Sequence, residues 1–268
     1  MKILALDFDG VICDSSREIF LVTLRTCAAL DSDLDAAEYL DRLQARSGDR
    51  DDFAADPVYT AFVALFPLGN GAEDFAVALK AVMSGLALPD QAAYDRYFRQ
   101  QNAGWKDAFH RAFYDQRAAL RAEDEARWLA LHGTWPAVTS LLKDRAGAVP
   151  YAVCTAKDAV SVQKLLAHFG IGDLFSVDLI LDKETGAQKI AHLTELARRT
   201  GVDPAEITFV DDKVSHLQKV APLGVRCVLA AWGDNGSREH LQARQEGFPV
   251  AGLERVEEIL FSGFTESD

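Results

Sequence analysis

The sequence predicts an α/β fold, a parallel sheet covered by helices and split after its first strand by an all-helical insertion. Two observations predict it. Short apolar runs of strand length, at 3–6, 151–154, 179–181, 207–210 and 227–231, alternate with helical patterns over most of the chain. Strand alternating with helix is the pattern of a parallel sheet. The segment from about 14 to 133 instead shows amphipathic helical spacing and almost no strand signal. It also carries fifteen of the aromatic residues, enough for a core of its own. The expected organisation is therefore an α/β core from 1–14 and 134–268, with a helical domain from 15–133 inserted into it.

The elements can be justified in chain order. The run from Ile3 to Leu6 is wholly apolar and ends at Asp7. In the insertion, Leu21, Leu24 and Ala28 recur on one helical face, as do Phe62, Leu65 and Phe66, and then Phe109, Phe113 and Leu120. Breaks are expected at 67–71, at 85–89 and at Gly104. Gly133, Thr134, Trp135 and Pro136 form the expected return linker. After Thr155, Asp158 is placed to cap a helix whose stripe is Val162, Leu165, Leu166 and Phe169, and Gly170 stops it. A second helix opens at Lys189, carries Ile190, Leu193, Leu196 and Ala197 on one face, and ends at Gly201. Asp203 followed by Pro204 reads as a cap and first helical residue. The tail beyond Phe261 is expected to fray.

Composition narrows the function. The 268 residues include 41 acidic and 28 basic side chains, a net charge of −13. No Lys/Arg-rich run offers the basic face that a nucleic acid or an anionic membrane surface requires. No apolar stretch approaches the ~20 residues of a bilayer span. The four cysteines show no CxxC spacing and the six histidines no HExxH, so neither a disulfide framework nor a zinc site is expected. The N-terminus lacks the features of a secretory signal, and a cytoplasmic location is expected. An acidic protein that binds a small anion needs a local cationic site.

In an open parallel sheet, ligands bind beyond the carboxyl ends of the strands. Asp7, Asp9 and Gly10 follow the first apolar run, Thr155 the second, and Asp211 and Asp212 the fourth. Lys183 and Lys189 follow the third after a few residues. Adjacent strands would therefore bring four acids, a hydroxyl and a lysine to one place. So many carboxylates repel unless positive charge is supplied. A hard divalent cation with oxygen ligands supplies it, and Mg²⁺ typically joins one or two carboxylates to a substrate phosphate.

These motifs resemble those of the haloacid dehalogenase (HAD) superfamily, and the chain is most similar to its phosphoglycolate phosphatase-like branch with a helical cap. Asp7-Phe8-Asp9-Gly10-Val11 is similar to the first family motif, DxDG[TV]. Residues 151–155, ending in Thr155, resemble the second, Lys189 the third, and Asp211-Asp212 after a strand the fourth. The resemblance covers roughly 1–14 and 134–232. It implies a Rossmann-like core and a Mg²⁺-dependent phosphatase acting on a small phosphorylated metabolite. Asp7 would be the nucleophile and form an aspartyl-phosphate. Asp9 would be the acid and then the base. Thr155, Lys189 and Gly10 would hold the phosphoryl group. Asp7, the Asp9 carbonyl and Asp212 would bind the metal, with Asp211 in or near its shell.

The sequence also departs from the pattern. Lys189 precedes Ile190 rather than proline, and Lys183 is a rival for its role. His216 stands where a further acid is common and reads as a core or surface histidine. Lys213, in place of a small hydroxyl residue, could pair with a nearby acid. Dehalogenation has no leaving oxygen to protonate, so Asp9 and the Asp211-Asp212 pair argue against it. A phosphosugar mutase shares the DxDGV start and is not excluded by Val11, although the enlarged insertion does not favour it. Phosphonate cleavage would need a Schiff-base lysine, and neither insertion lysine, Lys80 or Lys106, sits in a recognisable context for it. A receiver-like signalling module would place its acidic pair first, and a non-catalytic phosphate-binding protein would be expected to lack one of these residues. Arg46, Arg50, Arg96, Arg99, Gln101 and Trp105 are candidates for substrate contact in the insertion.

Overall fold

The computed structural model describes residues 1–30, 35–44, 53–69, 71–186 and 188–261. Arg46, Arg50 and the tail after Phe261 lie outside them. The chain divides into two compact units, Met1–Asp14 with Gly133–Asp268, and Ser15–His132.

The first unit is built on a six-stranded parallel sheet. Its strands are β1 (Ile3–Leu6), β4 (Tyr151–Cys154), β5 (Phe175–Leu181), β6 (Ile207–Asp211), β7 (Arg226–Ala230) and β8 (Val250–Ala251), in the order β5-β4-β1-β6-β7-β8. Here β2 (Cys13–Asp14) and β3 (Gly133–Thr134) pair antiparallel as a separate two-stranded ribbon. Thr134 Oγ1 donates to the Ile12 carbonyl at 2.7 Å and ties the ribbon to the β1 loop.

Strands β1, β4 and β6 are buried along their whole length, as central parallel strands covered on both faces must be. Ile3, Ala5, Ala152, Cys154, Ile207 and Phe209 share one core cluster with Leu193, Leu196, Val214 and Leu217 from the covering helices. The covering helices include α8 (Pro136–Asp144), α9 (Ala159–His168), α10 (Lys189–Thr200), α11 (Val214–Val220), α12 (Ser237–Gln245) and α13 (Val256–Phe261). Asp158 caps α9 by accepting from Ser161 N. Gly201 ends α10 at φ 69°, a left-handed cap that glycine adopts without steric cost. Asp203 caps the short 3-10 turn that begins at Pro204.

Two strands differ from the sequence expectation. β5 starts at Phe175 rather than 179, because Ser176, Val177 and Asp178 are exposed on an edge strand and need not be apolar. β8 pairs with β7 through only two residues, too few to leave a sequence signal.

The second unit is helical throughout its described residues. It contains α1 (Ser16–Leu30), α2 (Ala36–Gln44), α3 (Pro57–Val63), α4 (Ala72–Met83), α5 (Gln91–Gln100), α6 (Ala103–Glu123) and α7 (Glu125–Ala130). Its aromatic residues form a continuous chain of ring contacts through Phe20, Phe62, Phe66, Phe75, Phe113 and Phe109, with neighbouring centroids 5.1–6.0 Å apart. Such edge and tilted contacts stabilise beyond the area they bury. Inside this core Arg117 donates to both oxygens of Glu18, at 2.7 and 2.9 Å. Gly104 does not interrupt the chain as expected. It lies in the first turn of α6, whose cap is Asn102, accepting from Trp105 N at 3.0 Å. Among the described residues no helix is long and apolar enough to cross a membrane.

Candidate active site

The order of the parallel sheet creates the site. From β1 the chain moves outward to β4 and β5, then returns to the other side of β1 as β6, β7 and β8. The switch point therefore lies at the carboxyl end of β1, where α/β proteins place ligands. Leu6 is level with Val153 on one side and Val210 on the other. The next residues, Asp7, Cys154 and Asp211, thus emerge at one height.

Asp7 is held by backbone and by lysine. Its amide donates to the Val210 carbonyl at 2.9 Å, and its Oδ1 accepts from Phe8 N at 2.6 Å. Lys189 reaches back from the first turn of α10 and places Nζ 2.5 Å from Asp7 Oδ1. The same ammonium donates to the Cys154 carbonyl at 2.7 Å and lies 3.8 Å from Asp211 Oδ2. Burial alone would lower the Lys189 pKa, but Asp7 and Asp211 outweigh it and hold the ammonium charged. Lys183 takes no part here. It is largely exposed and lies 3.7 Å from Glu184.

Asp9 and Gly10 occupy the turn after Asp7. The Phe8 carbonyl accepts from Ile12 and Cys13 N, closing the turn. Gly10 sits at φ 83°, and a Cβ there would come within 2.5 Å of Asp212 Oδ2. Left-handed backbone and close approach both require glycine. Asp9 Oδ1 lies 3.2 Å from Nζ of Lys157, a lysine with a fully buried side chain. Thr155 Oγ1 accepts from Lys157 N at 3.1 Å within the β4 loop, and the Lys157–Asp9 contact joins that loop to the β1 turn.

The fourth strand end supplies the remaining charge. Asp211 Oδ1 accepts from Lys213 N at 2.8 Å, and its carboxylate meets His216 Nδ1 at 3.0 and 3.1 Å. Burial would raise the Asp211 pKa, but His216 and Lys189 overcome it and bring it down to about 2. His216 is thus a partner of this acid rather than an isolated core or surface histidine. Lys213 Nζ lies 3.5 Å from Asp212 Oδ2 and donates to the Asp234 carbonyl at 2.6 Å.

Two of these carboxyls are pushed the other way. Burial raises Asp7 well above the usual carboxylate range, and the charges of Asp211 and Asp212 add to it against Lys189. Burial raises Asp212 likewise, helped by Asp211 and opposed by Lys213. A third acid, Asp234, is pushed up to about 7 by burial, against Lys213 and with the charges of Asp212, Asp14 and Asp9. The acids Asp7, Asp9, Asp211, Asp212 and Asp234 outnumber the lysines Lys157, Lys189 and Lys213. Asp7, Asp211 and His216 present ligand atoms within 4.8 Å of one another. The surplus negative charge and oxygen-rich donor set suit a hard divalent cation.

Lys157, Asp234 and the loop around it were missed in the sequence. Lys157 had a weak signal, since it lies two residues past a strand-end threonine. Asp234 had none, because a Gly-Asp-Asn stretch is ordinary loop composition. In the helical unit, Arg96 and Arg99 are exposed, Gln101 Nε2 donates to the Tyr97 carbonyl at 3.2 Å, and Trp105 carries Lys80 Nζ 4.9 Å from its ring.

The comparisons with known proteins agree with this architecture. A predicted phosphoglycolate phosphatase from Haemophilus somnus 129PT superposes with a TM-score of 0.63 at 19% identity, over 97% of this chain and 98% of its own. A haloacid dehalogenase-like family hydrolase from Streptococcus pneumoniae gives 0.60 at 12% identity, over 97% and 98%. CbbY from Rhodobacter sphaeroides, determined in complex with phosphate, gives 0.53 at 19% identity, over 88% and 89%. At these identities the likeness is one of fold. Among curated proteins none matches the chain. Residues 1–218 match the family of haloacid dehalogenase-like hydrolases, and the chain belongs to that family.

Proposed function

We propose that this protein is a Mg²⁺-dependent phosphatase that hydrolyses a small phosphorylated metabolite through an aspartyl-phosphate on Asp7. The observation that carries the reading is the Asp7–Lys189 contact at the switch point, 2.5 Å long and crowded by Asp211. A carboxylate so placed is a nucleophile whose charge is held by an adjacent cation.

Asp7 attacks phosphorus as the bond from phosphorus to the leaving oxygen breaks. Asp9 donates a proton to that oxygen, and the alcohol departs. Asp9, now a carboxylate, takes a proton from the water that attacks the acyl-phosphate, and inorganic phosphate leaves with Asp7 restored. Using one group as acid and then base is ordinary general catalysis. Lys189 and the Thr155 hydroxyl hold phosphoryl oxygens, and Gly10, without a side chain, lets the Asp212 carboxylate lie against the turn. Asp7, the Asp9 carbonyl and Asp212 would hold Mg²⁺, with Asp211 beside them anchoring Lys189 and His216. Bound there, Mg²⁺ supplies charge neutralisation for the carboxylates and the phosphoryl group.

The raised Asp7 supports the need for that cation. Burial and two neighbouring acids push Asp7 up against Lys189, and a further cation would favour its ionised form. The helical unit is proposed to act as the cap that selects the substrate. The test is hydrolysis of p-nitrophenyl phosphate. Activity should require Mg²⁺, vanish on chelation and fall to background in Asp7→Asn. Retention of most activity in that variant would remove Asp7 as the nucleophile.

A further inference from the structure

The loop after β7, from Trp232 to Asn235, touches the site at several points, and the proposed reaction gives it no role. The Asp234 amide donates to Asp212 Oδ2 at 2.8 Å. The Asn235 side chain donates from Nδ2 to the Asp212 carbonyl at 3.0 Å and to the Ala230 carbonyl at 2.8 Å. His240 on α12 holds the other end of that amide, with Nε2 2.7 Å from Asn235 Oδ1. The Trp232 indole donates from Nε1 to the Val11 carbonyl at 3.0 Å, one residue past Gly10. Gly233 lies where a Cβ would come within 2.4 Å of both Asp212 Cβ and the Gly10 carbonyl oxygen.

These contacts act on one carboxylate from several sides. Gly10 and Gly233 leave no side-chain volume around Asp212. The Asp234 amide fixes Oδ2, and Asn235 fixes the Asp212 backbone. Trp232 ties the same loop to the turn that carries the Asp9 carbonyl.

We infer that the Trp232–Asn235 loop is a positioning element for the metal site, orienting the Asp212 carboxylate through the Asp234 amide, holding the Asp212 backbone through Asn235 and registering both against the Asp9–Val11 turn through Trp232. It rests on the proposed metal-dependent reading. Partners that orient a ligand in this way typically carry 10–100-fold of metal affinity. Asn235 is the centre of the device. Its amide bridges β7, Asp212 and α12, and its two donors both end on carbonyls that no other side-chain donor in the loop reaches.

The experiment is calorimetric titration of Mg²⁺ into the metal-free full chain, beside the Mg²⁺ concentration for half-maximal activity. Asn235→Leu keeps the volume, adds no charge and cannot donate. It should weaken Mg²⁺ binding by about 10–100-fold and shift half-saturation equally, while kcat at saturating Mg²⁺ stays within a few-fold of wild type. Trp232→Phe keeps an aromatic ring, loses the Val11 bond with part of the indole's volume and should weaken binding by a smaller factor. It also serves if Asn235→Leu folds poorly. Unchanged Mg²⁺ affinity in both variants overturns the inference, whatever happens to their melting temperatures. A wild-type chain that binds no Mg²⁺ overturns the proposed function itself, which separates the two failures.

Discussion

Both units bury charge, and they balance it differently. In the helical unit Glu18 is met by Arg117. The guanidinium donates to both carboxylate oxygens and lies 4.8 Å over the Phe113 ring. In the α/β unit Asp7, Asp211 and Asp212 are just as buried but share their lysines, and two of the three are driven toward their neutral forms. An unmatched cluster holds charge in reserve for a ligand of opposite sign. The balance of charge, more than burial, separates a structural pair from a candidate catalytic site.

The largest expected effect breaks the cluster. Asp212→Asn should abolish Mg²⁺ binding and activity, yet leave the metal-free melting temperature unchanged or higher, because it relieves repulsion among buried acids. A clear drop in metal-free stability would show that Asp212 is balanced after all. The same operation on the helical pair should do the reverse. Arg117→Met leaves Glu18 buried without its bidentate partner and should destabilise by about 3–5 kcal/mol. Adding Glu18→Leu should recover most of that loss in urea unfolding, since replacing both buried partners is often near neutral. A double variant as unstable as the single one would contradict the pair's purely structural role.

A smaller effect comes from pH. Burial pushes Asp234 up to about 7 in the folded protein, above its unfolded value of about 3.9. Between about pH 4 and 7 the native state therefore binds more protons, and the metal-free protein should lose stability as pH rises through that window. The expected loss is on the order of 1–4 kcal/mol. Asp211, held at about 2, acts with the opposite sign and only below that window. Melting temperatures in chelator at pH 5 and pH 7.5 measure the slope, and Asp234→Asn should reduce it, leaving the share that the raised Asp7 and Asp212 contribute with the same sign. Equal slopes in the two proteins would place the titration elsewhere.

Much of the architecture could be read in advance because local chemistry fixed it. The apolar runs specify buried strands, and Asp158 and Gly201 punctuate their helices. The short β8 and the exposed start of β5 could not be read, because an edge strand borrows its pairing from a neighbour.

The chain order of Asp7, Thr155, Lys189 and Asp211 is a property of the sequence, and so is the sign of the charge they gather. Which lysine meets Asp7 is a tertiary fact. Lys189 does so because the first turn of α10 aims it at the carboxyl ends of β1 and β4, whereas Lys183 remains in solvent. Lys157 against Asp9 and the Trp232–Asn235 loop against Asp212 are tertiary facts too. Spacing along the chain records neither the direction of a side chain nor the approach of a loop more than twenty residues away. The parallel register of the central strands sets both, by bringing their ends to one height around one crowded carboxylate cluster.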